Sequence, residues 1–334
     1  MPKTVKVAFI GSGGMAKSHV PGLKEMQDVE LVGFCDVALE RAKAMADEHG
    51  GQAFEDAGKM LDTVSPDCCY VLLPPFAHGA AEMACIERDI PFFVEKPINR
   101  DYNQAAGIAE AVEDKGLLTS AGYMNRYRKA IQAAKKSLEQ DPAIYVSGGW
   151  IGGKPNPSPE RPISMWWVQK AKSGGQFVEQ VTHTVDIVRF LCGEATHVSA
   201  FAAEGFNQNI PGYDIDDALA VTIHFANGGV ANLHSCCGCN AHGGVTLDVF
   251  AGNVAFEFRG WAHDCKVYKE HKVAEEIKGE PDIFVVEDEA FMEAVRTGDP
   301  TPVQCTYADA LKTLEITLAA NASAEQGKIV KLSG

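Results

Sequence analysis

At 334 residues the chain is too long for one ordinary hydrophobic core, and with 46% hydrophobic residues it can fill two. Its net charge of −15, with Lys and Arg in no dense cluster, argues against nucleic acid and anionic membranes as partners. No run is long and apolar enough to span a bilayer, and ten cysteines in a chain of this length do not suggest a disulfide scaffold.

The opening "MPKTVKVAFIG" enters a strand pattern at once, without a signal peptide's longer apolar core. Together with the adjacent pairs Cys68-Cys69 and Cys236-Cys237, which rarely bridge each other, this predicts reduced thiols and a cytoplasmic protein. The first third alternates apolar runs with helical patterns. "VKVAFIG", "VELVGFCD", "DCCYVLLP" and "IPFFVEK" are each followed by a predicted helix, around 16–26, 39–49, 79–88 and 102–115, and "LLTSAGY" closes the series. Such alternation predicts a doubly wound parallel sheet covered on both faces. From about residue 123 the pattern changes. A helix at 126–139, the strand "AIYVSGGWI", a Gly/Pro-rich loop at 152–162 and a helix from about 173 lead into a strand-rich stretch between 195 and 268. "ALAVTIHFANGGVANLHS" reads as a hairpin turning at Asn227-Gly228, and helices at 287–297 and 308–326 follow. The expected fold class is α/β: a dinucleotide-binding domain over 1–122 and an α+β domain with an antiparallel or mixed sheet over 123–334. The long loop suggests a lid or rim of a site.

Chemistry-bearing residues concentrate at three places. In "FIGSGGMAKSH", Gly11 permits a tight turn after a strand, Gly13 lets backbone approach a pyrophosphate and Ala16 keeps helix and strand close, so Gly11, Gly13, Gly14 and Met15 are candidate cofactor contacts. Asp36 ends the second strand, where a carboxylate can bind both adenosine ribose hydroxyls and repel a 2′-phosphate, which favours NAD over NADP. Arg41 either turns inward toward a 2′-phosphate or pairs with Glu40 or Asp47 at the surface. After the third strand, Pro74 sits where the sheet edge meets the cofactor, and His78 either bonds a ribose or caps the next helix. The second place is "FFVEKPINR", which puts Glu95, Lys96 and Pro97 at the carboxyl end of a buried strand, where ligands of a doubly wound sheet lie. The third is "SGGQFVEQVTHTVD". Read as one helix, it carries Glu179, His183 and Asp186 on a stripe about 60° wide, opposite Val178, Val181, Val185 and Val188. "HSCCGCNAH" brings Cys236, Cys237, Cys239 and His242 close in sequence. It follows a strand whose neighbouring side chains point to opposite faces and lacks paired C-x-x-C spacing, so small thiols are expected and no metal.

In the order Gly-rich turn, Asp36, Glu95-Lys96-Pro97 and "GGQFVEQVTHTVDIVRFLCG", nearly the whole chain resembles the Gfo/Idh/MocA oxidoreductases. The resemblance implies an N-terminal Rossmann domain and a C-terminal domain with an open-faced sheet that often forms the oligomer interface. The strand-rich second half has helices enough for one sheet face only, so the other face is expected to expose apolar area and to pair in a homodimer or homotetramer. It implies a tightly held nicotinamide cofactor and sugar or cyclitol substrates. Family members commonly carry Asp and His at i and i+4 on this helix, and here Glu179 and His183 stand at those positions. Trp167 fits the family's tryptophan, a candidate cofactor or sugar contact, whereas Val168 replaces the Arg often found beside it. Trp166, Tyr123 and Arg126 are further candidates for the substrate cleft. The implied reaction is hydride transfer between nicotinamide and a carbinol carbon. His183 is the expected general acid/base, Lys96 the polarising and substrate-orienting group, Glu179 a holder of a neighbouring hydroxyl and Asp186 a support. Glu95 and Lys96 also count as cofactor contacts. Two alternatives stay open: a glycoside-cleaving enzyme in which NAD is recycled through C3 oxidation and elimination, and a non-catalytic dinucleotide sensor.

Overall fold

A computed structural model describes residues 4–333. The chain forms two compact units. The first runs to Met124 and resumes over Asp282–Leu311; the second comprises Asn125–Pro281 and the chain from Lys312 onward. The sequence pattern placed a single division at 122/123. The difference lies in residues 282–311, whose apolar side chains Phe291 and Met292 complete the first unit's core.

The first unit contains β1 (Val5–Ile10), α1 (Ala16–Glu25), β2 (Val29–Cys35), α2 (Leu39–His49), β3 (Gln52–Phe54), α3 (Ala57–Val64), β4 (Cys68–Val71), α4 (Ala80–Glu87), β5 (Phe92–Val94), α5 (Tyr102–Lys115) and β6 (Thr119–Ala121). The β3–α3 stretch carries no apolar run long enough to be read from sequence. All strands are parallel in the order β3-β2-β1-β4-β5-β6, the doubly wound dinucleotide-binding order. Helix starts follow side-chain chemistry: Asp56 accepts the Lys59 N–H at 2.7 Å before α3, and Asp101 accepts the Gln104 N–H at 3.1 Å before α5. Across the sheet, directly paired positions Phe34, Phe9, Tyr70 and Phe93 stack with ring centroids 5.0, 5.4 and 4.8 Å apart. This aromatic ladder fills the centre of the core, with Phe291 edge-on to Tyr70.

The second unit begins with α6 (Lys129–Leu138) and β7 (Tyr145–Ile151), followed by short helices α7 (Pro162–Trp167), α8 (Lys170–Ser173) and α9 (Gln176–Glu179), then α10 (Thr182–Cys192). The single predicted helix from 173 is thus interrupted. The Val181 N–H bonds back to Gln176 O, five residues earlier, at 3.1 Å, so the backbone makes a wide turn between α9 and α10. Strands β8 (Ala195–Ala203), β9 (Ala218–Phe225), β10 (Val230–Cys236), β11 (Gly244–Phe250), β12 (Ala255–Arg259), β13 (Asp264–Lys269) and β14 (Lys272–Ile277) follow. The chain then runs through α11 (Ile283–Thr297) in the first unit and α12 (Tyr307–Gln326), and ends with β15 (Val330–Lys331). The nine-stranded sheet, ordered β14-β13-β12-β11-β7-β10-β9-β8-β15, is antiparallel except where β7 meets β10. The predicted hairpin is β9–β10, with Gly228 at φ +88° in its turn. Residues of α6, α10 and α12 share one core with the inward side chains of this sheet. On the other face the side chains are largely polar, with Thr222 bonded to Asn232 and Arg259 paired with Asp248 and Glu257; Tyr145 and Phe250 form an exposed stacked pair among them.

Candidate functional site

The turn after β1 has the form a dinucleotide requires. Gly11 adopts φ +101°, and a Cβ there would lie 2.3 Å from the Leu72 carbonyl oxygen, so only glycine lets the turn pass the end of β4. At Gly13 and Gly14 a Cβ would meet nothing within 4 Å, leaving open space in front of the backbone at the start of α1. Met15 is partly buried against the first unit's core, and its carbonyl accepts the Ser18 N–H at 2.9 Å.

Asp36, buried at the end of β2, accepts the Ser12 N–H at 3.0 Å on one oxygen and the Ala38 N–H at 2.9 Å on the other. Arg41 pairs with Asp36 itself at 2.9 Å, rather than with Glu40 or Asp47. Their proximity arises because α2 begins directly after β2 and turns Arg41 back over the strand end. At the carboxyl end of β4, Pro74 precedes a short 3₁₀ turn and the buried His78 pairs through Nδ1 with Glu82 at 2.5 Å. Glu82, not His78, caps α4 by accepting the Gly79 N–H at 2.6 Å. His78 Nε2 is buried without a protein partner. The open space at Gly13–Gly14, the free approach to the α1 N-terminus and this imidazole nitrogen fit a bound dinucleotide.

Beyond β5, Lys96 is half-buried and its peptide to Pro97 is cis. Glu95 points inward. One carboxylate oxygen lies 3.3 Å from His19 Nε2 and the other accepts the Lys96 N–H at 2.9 Å. Both oxygens of Glu95, expected as a cofactor contact, are thus engaged within the first unit. Tyr123, expected at a substrate cleft, is fully buried at the end of the first unit.

In the second unit, Glu179 and His183 are both buried, one at the end of α9 and one in the first turn of α10. The Trp167 indole N–H donates to Glu179 Oε2 at 2.9 Å, which fixes the carboxylate. Trp167 is thereby a partner of Glu179, and Trp166 packs beside it on a small cluster of Val168, Ile215 and Cys237. The His183 ring stands edge-on to Trp261 with centroids 5.3 Å apart. Trp150 and Trp261, with Gly244, Val245 and Gly260, line an apolar hollow beside it. Asp186 is held by both arms of Arg126, at 2.7 and 2.8 Å, and accepts from the Thr313 hydroxyl at 3.0 Å. Arg126 is 3% exposed at its side chain and lies over the Phe190 ring, so it buttresses α10. Asp186, expected as a support, and Arg126, expected at the substrate cleft, are thus paired with each other in the interior of the second unit.

Sequence reasoning missed Trp261, which lies in the turn between β12 and β13 and carries no positional signal. It also missed His19 and Asp288, which had one: each is a polar residue on the apolar face of a helix. Among the described residues no group of three or more His, Cys, Asp or Glu is arranged to hold a metal. Cys237 is buried against the Tyr213 hydroxyl, 3.1 Å away.

The family model described as "Oxidoreductase family, NAD-binding Rossmann fold" matches residues 5–123, and the GFO/IDH/MocA C-terminal domain matches 152–256, together well over half the chain. The chain belongs to the Gfo/Idh/MocA oxidoreductase family. This Gfo/Idh/MocA enzyme therefore carries an NAD-binding Rossmann domain. It is 26% identical to the scyllo-inositol 2-dehydrogenase (NAD(+)) of Bacillus subtilis (strain 168), over 99% of this chain and 97% of the relative. It is 24% identical to the D-glucoside 3-dehydrogenase of Escherichia coli (strain K12), over 75% and 76%. Its fold is similar to that of levoglucosan dehydrogenase solved with NADH and levoglucosan, with a TM-score of 0.86 at 20% identity over 99% of this chain and 100% of the other.

Proposed function

We propose that this Gfo/Idh/MocA enzyme is an NAD-linked dehydrogenase or reductase of a sugar, cyclitol or glycoside, acting at one ring CH–OH or keto carbon. The observation that carries the reading is the pairing of a carboxylate fixed by an indole, Glu179 with Trp167 at 2.9 Å, with a buried imidazole, His183, at the start of the next helix. Relatives named for scyllo-inositol and D-glucoside oxidation support a polyhydroxylated ring as substrate. Bound nicotinamide supplies the hydride acceptor or donor. His183 takes the hydroxyl proton during oxidation and returns it during reduction. The Lys96 ammonium stabilises the alkoxide-like charge on the reacting oxygen. Glu179 accepts a hydrogen bond from a neighbouring hydroxyl and so sets which carbon faces the cofactor. Asp36 selects NAD by accepting from ribose hydroxyls and repelling a 2′-phosphate. The enzyme acts as a homo-oligomer.

A panel of sugars, cyclitols and glycosides, followed by nicotinamide absorbance and product analysis, identifies the substrate. On that substrate Lys96→Ala and His183→Ala should each lower turnover about a hundredfold or more, with folding and NAD binding nearly intact. Near-normal turnover by a folded His183→Ala enzyme would sink the mechanism.

A further inference from the structure

One buried group of the first unit has no part in the roles assigned above. His19 lies on the inward face of α1 with Ala16, Val20 and Leu23, and is fully buried. A histidine in such a place is costly unless its nitrogens are bonded. Both are: Nδ1 is 2.8 Å from Asp288 Oδ1 on α11, and Nε2 is 3.3 Å from Glu95 Oε1 beyond β5. The ring is wedged among Tyr70, Phe93 and Phe284, with centroids 5.1 to 5.5 Å away. The Tyr70 hydroxyl donates to the same Asp288 oxygen at 3.0 Å.

The line of contacts continues outward. The other Glu95 oxygen accepts the Lys96 N–H at 2.9 Å. A Cβ on Gly122 would approach the Glu95 carboxylate to 3.2 Å, so glycine there lets the carboxylate lie close against the backbone. Asp288, His19, Glu95 and the Lys96 amide thus form one unbroken chain inside the first unit. An imidazole that donates to two carboxylates needs both of its N–H groups. Burial opposes its charge, but Asp288 and Glu95 outweigh burial and hold His19 up to about 10.

We propose that His19 is a positioning residue for Lys96: anchored by Asp288, its imidazole holds the Glu95 side chain, and Glu95 fixes the Lys96 amide and with it the turn that carries the ammonium. The proposal rests on the assignment of Lys96 to the reacting centre. It gives the Glu of the Glu95-Lys96-Pro97 triplet a scaffolding task, and gives α11 a reason to return to the first unit.

The test compares full-length wild type, His19→Phe, His19→Gln, Asp288→Asn and Lys96→Ala. Three quantities are read: residue-resolved amide exchange, NAD binding, and turnover of scyllo-inositol or a methyl glucoside, whichever is accepted. In His19→Phe the Lys96 amide should exchange at least tenfold faster while β1 and β4 amides keep their protection. Its kcat should fall at least tenfold with KM and NAD affinity within threefold. His19→Gln keeps a donor toward Glu95 and should recover kcat to within threefold of wild type. Asp288→Asn touches neither Glu95 nor Lys96 and should still raise Lys96 exchange at least threefold; it decides the matter if His19→Phe does not fold. Unchanged Lys96 exchange in a folded variant overturns the proposal, as does loss of protection spread evenly over the unit. If Lys96→Ala keeps normal turnover, the functional assignment fails, while the exchange data still judge the positioning.

Discussion

Both oxygens of Asp36 already accept backbone N–H groups, and Arg41 lies across one of them. Replacing Asp36 with Ala removes the proposed ribose acceptor and releases the guanidinium together. NAD affinity should fall at least tenfold and the preference over NADP should narrow, as fluorescence titration of both cofactors would show. Arg41→Ala should do far less, because an arginine about half exposed contributes little through its ion pair. His19 makes a different kind of prediction. Its folded-state value, about 10, lies above the ordinary imidazole value near 6.5. The stabilisation from its ion pairs is therefore fully present below about pH 6.5 and is lost as pH rises toward 10. It is on the order of a few kcal/mol. Denaturant unfolding of wild type and His19→Gln across that range should show a gap that shrinks with rising pH; a gap that widens refutes it. The groups facing His19 that titrate are Asp288, Glu95 and Tyr70. Asp36 was legible in the sequence because it stands at a fixed place after a glycine-rich turn. Its partner Arg41 was not, since Glu40 and Asp47 are equally near along the helix and only the strand-to-helix turn selects among them.

The break between α9 and α10 shows where periodicity misleads. Val178, Val181, Val185 and Val188 keep helical spacing straight through it, and no Pro or Gly marks it, so the sequence reads as one helix. The interruption is a matter of backbone bonding at Val181. Its result is that Glu179 and His183 are fixed by separate means. Trp167 on α7 holds the first, while α10 is tied down by Arg126 and by Thr313 of α12 through Asp186. Arg126→Met should leave the Asp186 carboxylate buried beside an apolar chain and cost about 3–5 kcal/mol. The double variant Arg126→Met/Asp186→Leu should recover much of that loss in denaturant unfolding. Equal loss in single and double variants would mean the pair contributes packing rather than charge.

At the scale of the molecule, the two sheet types were legible from the alternation of strands and helices in the first third and of strands alone later. The assignment of α11 was not, because an amphipathic helix near the chain end has no mark of which core it serves. The expectation that the second sheet's uncovered face would be apolar also needs adjustment. The face is mostly polar, with Tyr145, Phe250, Phe201 and Val273 among its exposed apolar groups. Association through it would rest on paired charges around a few aromatic contacts, and so should weaken with salt. Light scattering at micromolar protein should give a dimer or tetramer mass; a monomer at low salt refutes the proposed assembly. The return of α11 has a consequence for biosynthesis. When the ribosome has made the first 124 residues, the parallel sheet is complete in strands but Tyr70 and Phe93 still lack Phe291, and His19 lacks Asp288. The cofactor unit is the first to be translated and among the last to be finished, so the nascent chain must shelter an unpartnered aromatic ladder while more than 150 further residues are added.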